Sequence, residues 1–204
     1  MKSRLSVGIL MVLCIAAMGS AAPLCTSSIG SNVLDTGFVC ELGTLTFSNF
    51  QAVGATKIDL MGATFNGSVV YLTFNPYMAP TQGPMDVYFY MTVSGAWIDG
   101  VDLINGGSSG TSIFERVCSS PIGQGNICPE GTEVAEMTAS GGNQAEVLFQ
   151  GSYQTLYIYK DILVPGNEHL SSFTQSFHIP EPMTFVLIGT GLLGLGLFGK
   201  RLRR

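Results

Sequence analysis

Asp86-Val87-Tyr88-Phe89-Tyr90-Met91-Thr92-Val93 is the stretch on which the fold turns. Residues two apart share a face of an extended chain, so Val87, Phe89, Met91 and Val93 fall on one side and Asp86, Tyr88, Tyr90 and Thr92 on the other. A helix would scatter both sets around its circumference. The alternation predicts a half-buried strand with an apolar face on the core and a polar, aromatic face outward. Ser68–Phe74 (SVVYLTF), Gln154–Val164 (QTLYIYKDILV) and Ser172–Ile179 (SFTQSFHI) read the same way, being rich in β-branched and aromatic residues. Weaker strand candidates are Ala55–Leu60, Ala96–Ile104, Ser112–Val117, Glu133–Ala139 and Glu146–Phe149. Turn punctuation separates them at Asn66-Gly67, Asn75-Pro76, Gln82-Gly83-Pro84, Asn105-Gly106-Gly107, Gly141-Gly142-Asn143 and Pro165-Gly166-Asn167. The pattern predicts an all-β fold, an antiparallel, jelly-roll-like β-sandwich, and no repeat of about 20–50 residues marks a solenoid or propeller.

Outward from this body, both ends read as addresses. Met1-Lys2-Ser3-Arg4, the apolar stretch from Leu5 to Met18 and the small residues Gly19-Ser20-Ala21-Ala22 form a secretory signal peptide, predicted to span 1–21. Cleavage after Ala22 would place Pro23 just past the scissile bond, so cleavage after Ala21 is favoured. At the other end stands Pro180-Glu181-Pro182, then an apolar, Gly-rich run over 183–199, then Lys200, Arg201, Arg203 and Arg204 around Leu202. That run makes a helix of roughly 26 Å at about 1.5 Å per residue, at the short end of what crosses a bilayer core of about 30 Å. The cations would remain cytoplasmic and leave the body outside.

This order of motif, span and basic stop resembles the PEP-CTERM sorting signal of Gram-negative bacteria. The resemblance implies that Pro180, Glu181 and Pro182 are a recognition motif for exosortase, a transpeptidase-like membrane protease, with the helix as a temporary membrane hold. In the body, Cys25-Thr26-Ser27-Ser28 followed by Cys40-Glu41-Leu42-Gly43-Thr44-Leu45-Thr46-Phe47-Ser48-Asn49-Phe50 looks like the opening of one group of such proteins. Tyr159-Lys160-Asp161-Ile162 and Ser171 to Phe177 look like that group's closing strands. The resemblance implies processing by signal peptidase and exosortase, an inner-membrane precursor, and a mature product at the cell surface or in a biofilm matrix. The domains expected are therefore 1–21, an exported body over 22–179, and a sorting segment over 180–204.

The whole chain carries 9 Lys+Arg and 14 Asp+Glu, for a net charge of −5. Removing six cations and one anion with the end segments leaves 3 cations and 13 anions, so the body stands at −10. Phosphate neutralisation needs cations that are missing, and nucleic acid is excluded as a partner. Cys14 leaves with the signal, while Cys25, Cys40, Cys118 and Cys128 remain in an oxidising compartment. Of three possible pairings, Cys25 with Cys40 and Cys118 with Cys128 close the shortest loops around turn residues. A four-thiolate zinc site lacks the close CxxC pairs such a site uses.

Catalytic constellations are thin. A GxSxG elbow is missing, Gly107-Ser108-Ser109-Gly110 reads as a turn, and Asn66-Gly67-Ser68 reads as a hairpin before it reads as a glycosylation sequon. Asp99-Gly100-Val101-Asp102 lacks the dense oxygen donors of a Ca²⁺ loop and is expected to be a solvated edge. No cofactor, no metal and no enzymatic activity are expected. The leading expectation is an exported surface protein delivered by an exosortase-type system. The alternative is a carbohydrate-binding module for exopolysaccharide using Tyr88, Tyr90 and Trp97 as a stacking platform, with Tyr71 and Tyr77 as further aromatics. A hydrolase built on His169 with Asp161 or Glu168 ranks below both.

Overall fold

The computed structural model describes residues 21–76 and 84–180. The expected signal segment up to residue 20, Tyr77, Glu181, Pro182, the helix expected over 183–199 and the basic end lie outside the described residues. Among the described residues, no helix is long and apolar enough to cross a membrane.

Nine strands follow in order: β1 (Cys40–Leu42), β2 (Leu45–Val53), β3 (Asp59–Phe65), β4 (Val69–Asn75), β5 (Met85–Gly107), β6 (Ser112–Cys118), β7 (Glu133–Ser140), β8 (Gln144–Val164) and β9 (Leu170–His178). Their pairing is antiparallel throughout, and among the described residues helix is confined to short 3-10 turns at Cys25–Ser28 and Gln124–Asn126.

Two long strands organise everything else. The first part of β5 pairs with β2 on one side and with the end of β8 on the other; β6 and then β7 extend that layer, and β1 pairs with β2. Past its bend, β5 pairs with β9 and with the start of β8, and β4 and β3 follow beyond β9. The two layers face each other across one core. Phe47 on β2 lies 5.5 Å from Phe177 on β9, and Phe89 on β5 lies 5.6 Å from Phe74 on β4 and 5.7 Å from Phe173 on β9. Each such ring leaves water completely, a transfer that stabilises by about 1.5–3 kcal/mol per side chain.

The bend has a local cause. Gly95 adopts φ +129°, and a Cβ there would stand 2.2 Å from the carbonyl oxygen of Thr44. Only glycine allows β5 to graze β2 and then turn away, and register shifts around Ile98 complete the change of layer.

The alternation in Asp86–Val93 is borne out: Val87, Phe89, Met91 and Val93 are buried, and Tyr88, Tyr90 and Thr92 face outward. Several boundaries are corrected. Asp86–Val93 and Ala96–Ile104 form one bent strand, as do Glu146–Phe149 and Gln154–Val164, because glycine here bends a strand without ending it. Ala55–Leu60 is strand only at its last two residues. The turn expected at Asn105-Gly106-Gly107 is the end of β5, where the buried Asn105 amide donates to Ala139 O and its Oδ1 accepts from Gly107 N–H and Thr111 Oγ1. The Asn66-Gly67 hairpin between β3 and β4 is present, with Asn66 Oδ1 accepting from the N–H groups of Ser68 and Val69. Cys25 is bonded to Cys40 and Cys118 to Cys128.

Candidate functional site

The outward face of the β2-β5-β8-β6 layer carries a cluster of aromatic rings distinct from the buried phenylalanines of the core. Register decides its membership: Tyr88 stands across from Asp161, Tyr90 from Tyr159 and Thr92 from Tyr157, while Phe114 and Arg116 on β6 stand across from Asp161 and Tyr159. Cross-strand partners share a face, so these side chains assemble without any long-range loop. Tyr159 is the floor, with its ring 5.3 Å from Tyr90, 6.1 Å from Tyr88 and 6.5 Å from Phe114.

A loop pinned by the Cys118–Cys128 disulfide closes over one end of this face. Within it Asn126 takes a left-handed φ of 61°, which aims its amide at the tyrosines. Tyr90 OH donates to Asn126 Oδ1 at 2.6 Å, Asn126 Nδ2 donates to Tyr159 OH at 3.1 Å, and Arg116 Nη1 donates to Asn126 O at 2.6 Å. Arg116 also pairs with Glu136 and stacks over the Phe114 ring at 5.2 Å. Burial pushes the Tyr159 phenol up to about 12, with the Asp161 charge adding to it. Burial also lifts Tyr90, and the hydrogen bond to Asp86 lifts Tyr88. The phenols therefore stay neutral donors at ordinary pH.

Beside this network opens a groove of about 510 Å³ lined by Asn49, Gln51, Tyr90, Thr92, Tyr157 and the Pro121-Ile122 segment of the loop, among others. A bulge in β2 shifts register between Ser48 and Gln51, and Asn49 adopts φ 55° there. The bulge re-aims Asn49, whose Nδ2 donates to Thr92 Oγ1 at 3.3 Å. The groove thus combines aromatic surface with amide and hydroxyl groups, a lining able to hold an uncharged, polyhydroxylated ligand.

Tyr88 and Tyr90 lie on this face as expected. Trp97 does not join them: it is 54% exposed and stands past the Gly95 bend, roughly 20 Å further along β5 than Tyr90. Tyr71 faces outward on β4, in the other layer. No local sequence pattern assigns Tyr157, Tyr159, Phe114, Arg116 and Asn126 to one site. Parity in QTLYIYKDILV marks the two tyrosines as outward, but only the register brings them beside Tyr88 and Tyr90.

The hydrolase set is dispersed. Among the described residues no hydrogen bond or ion pair joins His169 to Asp161 or Glu168; Asp161 lies on the tyrosine face and His169 in the β8–β9 turn. Asp102 is not a solvated edge either. It is buried in the middle of a layer between β8 and β9, accepting from Ser176 Oγ at 2.6 Å and lying 2.9 Å from His178 Nε2. Here the carboxylate, rather than the imidazole, contacts the serine, so His178 is not placed to take the proton of Ser176. Cys25, Cys40, Cys118 and Cys128 are committed to disulfides and hold no metal. Of the residues expected to form a sorting motif, Pro180 is described: it follows Ile179, whose N–H donates to Ser68 O at 2.7 Å.

No family model and no curated protein matches the chain. Among solved structures it is similar to the carbohydrate-binding module TmCBM61 in complex with beta-1,4-galactotriose, at 12% identity over 66% of this chain and 90% of that one, with a TM-score of 0.38. It is similar to a xylan-binding domain from CBM 22, at 12% identity over 71% of this chain and 94% of that one, with a TM-score of 0.32. The Drosophila melanogaster CENP-C cupin domain follows at 11% identity over 74% and 80%, with a TM-score of 0.25. Likenesses this distant fix no shared ligand or activity.

Proposed function

We propose that the body is a binding module for neutral polysaccharide, with the groove beside Tyr90 and Tyr157 as its site. The observation that carries this reading is the juxtaposition, in one open groove, of two outward tyrosine rings with the amides of Asn49 and Gln51. A pyranose presents an apolar C–H face that stacks on such rings and a rim of hydroxyls that pairs with amides. Charge supports the uncharged class of ligand. Of the body's three cations, Lys160 is buried, Arg116 pairs with Glu136 and Lys57 pairs with Asp59, which leaves an acidic surface that repels polyanions. Calorimetric titration of the full chain in detergent with neutral oligosaccharides checks the reading. Tyr157→Ala is expected to lose about thirtyfold in affinity, the equivalent of about 2 kcal/mol for a stacking anchor; unchanged affinity in that variant removes the site.

Delivery is proposed on the sequence of the two ends. The body is exported as a signal-peptide precursor, held by the segment over 183–199, and released toward the surface or matrix by an exosortase-type protease reading Pro180-Glu181-Pro182. In this reading the chain is a substrate of its processing enzymes and performs no catalysis. The finer architecture is read as a jelly-roll-like sandwich, supported by the insertion of β9 between β4 and β5 and by two strands that serve both layers. Fractionation with a C-terminal tag checks the route: the tag should leave the exported protein when the protease is active, and persistence of intact precursor in the inner membrane contradicts it.

A further inference from the structure

We infer that Asp102, Glu146 and His178 form a binding site for one divalent transition-metal ion, with Zn²⁺ the best match, on the layer opposite the tyrosine face. The register builds it. Asp102 in the middle of β5 stands directly across from Glu146 on β8 and from Ser176 on β9, and Gly100 stands across from His178, so all these residues share the outward face. Val101, Leu103 and Phe177, of the opposite parity, are fully buried in the core. One ligand atom from each of Asp102, Glu146 and His178 lies within 4.8 Å of the others, an arrangement that no other trio among the described residues shares.

Two further observations separate this site from a chance meeting of polar groups. Asp102 is 5% exposed, and its Oδ1 is buried without any hydrogen-bond partner, while its Oδ2 is engaged by Ser176 and His178. A buried carboxylate oxygen left bare pays its desolvation without compensation, and a bound cation supplies the missing partner. The second observation is the floor: Gly100 has no side chain where a Cβ would stand 2.7 Å from Leu148 Cδ2 and 3.4 Å from His178 Cγ. That absence lets the imidazole lie across β5 beside Asp102.

The donor set selects the ion. One imidazole nitrogen and two carboxylates suit Zn²⁺, whose three-ligand sites keep a fourth position for water or a substrate group. Ca²⁺ demands six to eight oxygens and Mg²⁺ a near-ideal octahedron, and three side chains supply neither. Asp102 is set by Ser176 on a central strand, whereas Glu146 is exposed and closes from the side. The ion would tie the last residue of β9, His178, to β5 and β8 immediately before the sorting segment.

Titration of the chelator-treated full chain in detergent with ZnCl₂, CaCl₂ and MgCl₂ separately tests this inference. The expected result is one Zn²⁺ per chain, a preference for Zn²⁺ over the other two, and loss of binding in His178→Ala. Glu146→Gln changes an exposed side chain and leaves the fold standing; it should weaken Zn²⁺ by at least about tenfold, the size that even an outer partner of a metal ligand controls. His169→Ala, which alters the sequence's other histidine, should bind as the unaltered chain does. No stoichiometric Zn²⁺, a preference for Ca²⁺, or Zn²⁺ binding that survives both His178→Ala and Glu146→Gln overturns the assignment. The saccharide groove lies on the other layer, so either result leaves that reading separately testable.

Discussion

Replacing Lys160 with methionine is expected to destabilise the body by about 3–5 kcal/mol, although the side chain never touches solvent and methionine fills a similar volume. Lys160 Nζ donates to Glu115 Oε2 and to Gln175 Oε1, and all three residues are fully buried between the layers. The ammonium also lies 5.6 Å from the centre of the Phe173 ring. Burial dominates both members of the ion pair, lifting the Glu115 carboxyl and lowering the Lys160 ammonium, while their mutual attraction opposes each shift. Removing the cation therefore strands a carboxylate that already has one oxygen, Oε1, without a partner. Glu115→Leu should cost a comparable amount by stranding the cation. The triple variant Lys160→Met, Glu115→Leu, Gln175→Leu should recover most of the loss, because desolvation is then no longer imposed on any of the three. Urea denaturation of the three variants checks the pattern; single substitutions costing under about 1 kcal/mol would mean that the pair does not carry its charge in the core.

The second large effect concerns the Cys118–Cys128 disulfide. Its conversion to two serines is expected to remove about 2–4 kcal/mol of stability, since the bond closes a loop of sequence separation 10 and restricts the unfolded chain. It should also weaken saccharide binding by about tenfold or more, because the loop carries Pro121 and Ile122 on the groove wall and Asn126 hydrogen-bonded to Tyr90. The Cys25–Cys40 pair is the control. Its separation of 15 predicts a stability loss of similar size, yet it holds β1 and the Cys25–Ser28 turn and leaves Asn126 seated. Equal affinity losses from the two disulfides would show that the groove responds to global stability and not to the loop.

Much of the fold was legible because parity is local. Val87 to Val93 announced both faces of β5, the Asn66-Gly67 signal located the β3–β4 hairpin, and Gly141-Gly142 marked the link between β7 and β8, which pair with β6 and not with each other. The same rule held a less obvious message: Lys160 shares parity with Leu156, Ile158 and Ile162, and Glu115 shares it with Ile113 and Val117, so alternation alone placed two charges in the core. Charge pulls the eye toward solvent, and only their mutual pairing across β6 and β8 makes the burial tolerable. The strand ends were hidden where glycine bends a strand without ending it, at Gly95 above all. The site was half legible. Tyr88 and Tyr90 could be assigned outward, but the arrival of Tyr157 and Tyr159 depends on a pairing across more than 60 positions of sequence, which no local pattern encodes. Trp97 was grouped with them by composition, and the bend separates them. The sequence alone makes Asp102 look exposed, because nothing local reveals that β5 runs through the middle of a layer.

The groove beside Tyr90 and Tyr157 is proposed to bind neutral polysaccharide. The decisive measurement titrates the full chain, labelled on its tyrosine rings, with a panel of neutral oligosaccharides and follows the ring resonances. Saturable shifts are expected at Tyr90 and Tyr157, with a smaller response at Tyr159 through Asn126, while the emission of the single Trp97 stays unchanged. Tyrosine resonances that stay still across the whole panel, or a response confined to Trp97, would contradict it.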